Sequence, residues 1–148
     1  MHVAEWMSQP VISICPQDSL QEAAARMRQH RIRHLPVLQQ GRLVGMLSER
    51  DVQSALPSPA TTLSLGEVRF YLTRIRVADV MTRQVVVLSP TTSLAEAARL
   101  IRHKKLGALP VLAGQDVVGI VTTTDLLEFL SALLKDEETR QGAYAGRA

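Results

Sequence analysis

Apolar positions along the chain fall into two series that follow the same order. Residues 11–14 and 85–88 are short apolar runs that predict buried strands. Pro16 and Pro90 end them, because proline has no N–H to give to a sheet ladder. The period then lengthens to that of a helix. Leu20, Ala23, Ala24 and Met27 stand at i, i+3, i+4 and i+7, as do Leu94, Ala97, Ala98 and Ile101. Ser19-x-x-Glu22 and Ser93-x-x-Glu96 read as capping boxes, in which the Ser oxygen and the Glu carboxylate satisfy free N–H groups at the helix start. The alanine pairs let each helix approach a sheet closely. Next come apolar runs at 35–38 and 109–112, turns containing Gly41 or Gly114, and second runs at 43–47 and 117–121. Each pair of runs predicts a hairpin. A last helix opens at Ser48 or Thr122.

The two series are a duplication. A shift of 74 positions superposes residues 3–52 on 77–126 without a gap, and 18 of those 50 positions are identical. Met7/Met81, Pro36/Pro110, Gly45/Gly119 and Asp51/Asp125 are among them. One β-α-β-β-α unit is too small to bury both faces of its sheet. The expected fold class is therefore α/β (α+β), with two such repeats packed sheet to sheet about a pseudo-twofold axis. Residues 1–56 form the first repeat and 77–134 the second. Residues 57–76 read as a Pro/Ser/Thr-rich linker followed by a short helix. Ser64-x-x-Glu67 opens that helix, which carries Val68, Tyr71, Leu72 and Ile75 on one side. Residues 135–148, charged and then Gly/Ala-rich, are expected to be a flexible, fraying tail.

Composition narrows the function classes. Of 148 residues, 46% are hydrophobic but only 3% aromatic, so the core is aliphatic and offers few platforms for stacking single-stranded bases. The single cysteine, Cys15, cannot form an internal disulfide, and it is expected as a small core residue at a strand end. No apolar run approaches the roughly 18 residues of a membrane span, and no basic-then-apolar leader opens the chain. A cytoplasmic protein is expected. The net charge is +3 and the pI about 9.5, with the basic residues gathered at 26–34 and 99–105.

Taken together, Val-x-x-x-Met-[Ser/Thr], Ser-Leu-x-Glu-Ala-Ala, Leu-Pro-Val and Gly-apolar-apolar-[Ser/Thr]-x-x-Asp occur twice in order. This pattern resembles the CBS domain (cystathionine β-synthase domain), and the whole chain resembles a tandem CBS pair, or Bateman module. The insert between the repeats is similar to that of acetoin-utilisation AcuB-like pairs, without the further C-terminal domain that some of those carry. The resemblance implies composite ligand sites, with ribose-holding residues from one repeat and a base pocket from the other. Asp51 and Asp125 would hold ribose hydroxyls, and Ser48 and Thr122 would lie near phosphates. The same residues suit helix caps, and a helix start in turn favours anions. One expected site combines Ser48, Arg50 and Asp51 with Val86, Leu106 and Gly107. The other combines Thr122, Thr124 and Asp125 with Ile12, Ile32, Arg33 and His34. Arg50 offers a fork of anion donors where Thr124 offers no charge, so the two sites should differ.

The expected ligand is AMP, ADP or ATP, with S-adenosylmethionine or a dinucleotide such as NAD as lesser candidates and no required cofactor. His30 and His34 have a metal-like spacing but lack a third ligand, and no catalytic constellation stands out. The expected activity is regulatory rather than enzymatic: a ligand bridges the repeats, and a conformational change reaches an unidentified effector protein. A homodimer is expected, from the family resemblance and from the apolar faces of 126–134. The competing reading is a ligand-free dimerisation or protein-interaction module. Nucleic acid is disfavoured, because the basic clusters flank the expected clefts rather than forming one surface.

Overall fold

The computed structural model describes residues 1–57 and 63–146. The Pro/Ser/Thr-rich part of the expected linker lies mostly outside them. A 3-10 turn at Val3–Glu5 precedes α1 (Leu20–His30), β1 (His34–Gln39), β2 (Arg42–Ser48) and α2 (Glu49–Ser54). Helices α3 (Leu65–Leu72) and α4 (Val77–Val80) lead into α5 (Leu94–Lys104), β3 (Ala108–Ala113), β4 (Asp116–Thr122) and α6 (Thr123–Ala145). Strands β1 and β2 form one antiparallel hairpin and β3 and β4 another, each with a register irregularity at its Leu-Pro-Val segment. The two hairpins meet through β2 and β4.

The apolar runs at 11–14 and 85–88 do not form regular strands. Each makes a single parallel bridge, Ile14 to Val37 and Leu88 to Val111. Pro16 and Pro90 follow two residues later and leave no donor to extend the ladder. Cys15 is exposed, contrary to expectation. It opens a turn in which its N–H donates to Asp18 Oδ2 at 3.0 Å, so it falls past the bridge rather than inside it.

Helices α1 and α5 start as expected at Ser19 and Ser93, whose hydroxyls accept the N–H of Glu22 and Glu96, each at 3.1 Å. The Glu carboxylates do not close the box. They pair with Arg26 and Arg99 on their own helices, at 3.0 and 2.6 Å. Both helices end in a left-handed residue, Arg31 or Lys105, each with φ 54°. Ile32 and Leu106 then donate back to the carbonyls of Met27 and Ile101. This closure turns the chain sharply into the Leu-Pro-Val strand. Ser64 caps α3, and Leu72 is buried beneath it with Val68 and Ile75 partly buried. Helix α6 continues to Ala145, about three turns beyond the expected boundary, through a run of good helix formers that remains exposed.

The buried aliphatic residues form two separate cores. The first joins Ile14, Leu20, Ala23, Leu35, Val37 and Leu47 to Val77 and Met81. The second joins Leu88, Leu94, Ala97, Leu109, Val111 and Val121 to Val3, with Met7 and Trp6 against it. Each repeat's leading segment is therefore packed on the other repeat's core. Backbone bonds follow the same exchange: Val77 N–H donates to Asp18 O and Ala78 N–H to Pro16 O, while Val3 N–H donates to Thr92 O and Ala4 N–H to Pro90 O. Fully burying a valine stabilises by about 1.5–3 kcal/mol, so Val3 and Val77 tie the two halves together.

Candidate functional site

Helices α2 and α6 open at equivalent places, and the caps are complete. Asp51 N–H donates to Ser48 Oγ at 3.1 Å, and Ser48 N–H donates to Asp51 Oδ2 at 2.8 Å. In the second repeat Asp125 N–H donates to Thr122 Oγ1 at 3.2 Å, and Thr122 N–H to Asp125 Oδ2 at 2.9 Å. Two backbone bonds hold the preceding segments against these helix starts: Glu49 N–H to Arg33 O at 2.8 Å, and Thr123 N–H to Gly107 O at 3.1 Å. The Leu-Pro-Val approach and the capping Asp are thus fixed relative to each other in both repeats.

Around Asp51 the surface opens into a cleft of about 560 Å³. That volume lies within the range of small-molecule sites. Ser48, Arg50 and Asp51 line it from one repeat, and Val86, Leu106 and Gly107 from the other. These are the six residues grouped from the sequence as one site, and they meet in one place. Glu49, Gln53, Thr82, Gln84 and Lys105 also line the cleft and were not anticipated. Lys105 was legible in principle: it precedes Leu106 and is the repeat partner of Arg31. Thr82 was legible as the residue that follows the repeated Met81.

Arg33 and His34, grouped from the sequence with the second site, also line this first cleft. The reason is Gly107. A Cβ there would stand 2.5 Å from His34 Nε2, so the missing side chain lets the imidazole lie against the Gly107 backbone. Burial holds the imidazole below its ordinary value; Asp51 opposes that shift, and Arg33 adds to it. Arg33 itself is exposed and makes only a loose 4.0 Å contact with Glu49. Arg33, Arg50 and Lys105 thus give the cleft three cationic side chains against the carboxylates of Glu49 and Asp51.

Asp125 has a different environment. It is buried, at 7% exposure, and both oxygens are engaged: Oδ1 accepts Ser8 Oγ at 2.8 Å, and Oδ2 accepts the N–H and hydroxyl of Thr122. Ile12 and Ile32, expected beside it, pack partly buried against the first core. Thr124 is exposed.

The sequence profile of the CBS domain matches residues 3–58 and again 77–132. The chain belongs to the CBS domain family. It is a tandem CBS pair, with two small antiparallel sheets in a mixed helix–strand fold. Among relatives, it is 34% identical over 124 residues to the CBS domain-containing protein YhcV of Bacillus subtilis, covering 84% of this chain and 81% of that one. Several longer relatives are spanned over half their length or less. A structure described as an acetoin utilization protein, AcuB, from Vibrio cholerae superposes with a TM-score of 0.77 at 26% identity, over 94% of this chain and 96% of that one. The CBS pair of protein MJ0100, crystallised with 5-methylthioadenosine and S-adenosyl-L-methionine, superposes with a TM-score of 0.75 at 25% identity, over 89% and 97%. Among the described residues, no helix of this CBS pair is long and apolar enough to cross a membrane.

Proposed function

We propose that this CBS pair is a regulatory, non-enzymatic module of the cytoplasm that takes an adenine nucleotide or related adenosyl ligand into the cleft around Asp51. The observation that carries this reading is the meeting of Ser48, Arg50 and Asp51 with Val86, Leu106 and Gly107 around one opening. Val86 and Leu106 offer apolar surface for a purine. Asp51 offers a carboxylate for ribose hydroxyls, and the nearby cations suit phosphates. AMP, ADP and ATP fit that charge best, ahead of S-adenosylmethionine or NAD. The complex of MJ0100 with adenosyl compounds supports the general class of ligand.

A ligand in this cleft touches both repeats, so its affinity depends on how they sit together. It therefore favours whichever arrangement binds it better, and an effector protein reads the shift. Calorimetric titration with AMP, ADP, ATP, S-adenosylmethionine and NAD tests the reading, using protein shown to be free of co-purified ligand. Saturable heat from at least one of them is expected. No heat from any at millimolar concentration overturns it.

Helix α6 favours a second element of the reading, a homodimer. Leu127, Leu130, Leu133 and Leu134 are 45–59% exposed, while Leu126 and Phe129 pack on the second core. So broad an apolar strip on one helix suits a partner subunit. If the calorimetry is silent and gel filtration still gives a dimer, the alternative of a ligand-free dimerisation module takes its place.

A further inference from the structure

The two capping aspartates are repeat partners, yet their surroundings have diverged. Ser8 and Thr82 are also repeat partners, and the backbone treats them alike. Ser8 N–H donates to Ile120 O at 2.8 Å, and Ser8 O accepts the Ile120 N–H at 3.1 Å; Thr82 and Met46 exchange the same two bonds, both at 2.9 Å. The side chains differ. Ser8 Oγ donates to Asp125 Oδ1 at 2.8 Å, while among the described residues no bond joins the Thr82 hydroxyl to Asp51. A carboxylate with both oxygens bonded and little exposure gains little from a ribose and would first have to give up its internal donors.

We propose that Ser8 clasps Asp125 as part of the fold, so that the chain takes one nucleotide, at Asp51, and leaves the expected second site without a ribose-binding carboxylate. The clasp pins the leading segment, residues 1–8, whose Val3 is buried in the second core. One carboxylate has thereby become structural, and its partner stays available to ligand. Residue 124 fits the same division: Thr124 stands where the first cleft has Arg50, so the expected second site also lacks that cation.

This inference rests on the nucleotide reading above, and two measurements separate them. Titration with ATP should saturate at one per chain. Ser8→Ala frees Asp125 Oδ1 and should add a second, weaker site while the first keeps its affinity within twofold, and Asp51→Ala should leave no site of wild-type affinity. Two nucleotides per wild-type chain, or tight binding at a remaining site in Asp51→Ala, overturns the proposal. The second measurement needs no ligand: a double-mutant cycle in thermal unfolding with Ser8→Ala and Asp125→Asn. The two effects should be non-additive, the double variant losing less Tm than the two single losses summed, while Thr82→Ala and Asp51→Asn should add. Additive effects for Ser8 and Asp125 overturn the clasp even if ATP binds; absence of binding by ATP and by each of the other four ligands, with an intact cycle, refutes the nucleotide reading and the single-nucleotide claim but leaves the clasp standing.

Discussion

The two helix starts, at Ser48 and at Thr122, show one motif serving two ends. Both have a hydroxyl cap, an Asp three residues on and a Leu-Pro-Val strand alongside. Around Asp51 the surface is open and basic; around Asp125 it is filled by a serine from the other end of the chain. A capping aspartate is suited to either role, because one oxygen can hold the helix start while the other meets a neighbour. What that neighbour is decides whether the residue supports the fold or stays available to a ligand.

Loss of the buried carboxylate should have the largest effect. Asp125→Ala removes a cap and leaves the Ser8 hydroxyl and Thr122 N–H without their acceptor, costing roughly 2–3 kcal/mol in thermal or urea unfolding. Asp51→Ala should cost about 1 kcal/mol of stability as a cap but weaken nucleotide binding about 30-fold in calorimetry, the equivalent of ~2 kcal/mol. Equal stability losses from the two would erase the contrast. Arg50→Ala should weaken ATP about 5–10-fold and flatten the salt dependence, with Thr124→Ala neutral.

A smaller effect is expected where the repeats interlock. Gly107→Ala would push a methyl into the His34 imidazole, which is free to rotate away, so nucleotide affinity should fall a few-fold with little change in Tm. The smallest effect concerns protons. The folded His34 titrates below its ordinary 6.5, so the unfolded chain binds the proton first as pH falls. Stability should therefore decline below about pH 6.5, and Tm measured at pH 7.5 and 5.5 should differ less in His34→Gln than in the wild type.

Much of the fold was legible because the chain states it twice. Caps, helix faces and hairpins all recur at the same offset, and it was the resemblance to CBS pairs that grouped Asp51 with Val86 and Gly107. The exchange of leading segments was not legible. Val3 and Val77 recur at the repeat offset, but nothing in their own surroundings says which core receives them; that depends on the path taken after Met7 and Met81. The clasp was hidden for the same reason, since Ser8 and Asp125 lie 117 residues apart. Cys15 was misread because an apolar run of four suggested a longer strand than the proline two residues beyond its single bridge allows. That His34 lines the first cleft as well was not legible, because the repeat alignment carries no information on the room left by Gly107.

The most direct test is a crystal structure of the protein grown with millimolar ADP. The account predicts one nucleotide per chain, with ribose hydroxyls within hydrogen-bond distance of Asp51, the adenine against Val86 and Leu106, and Ser8 still bonded to Asp125. A nucleotide held by Asp125, or an empty cleft at Asp51, would contradict it.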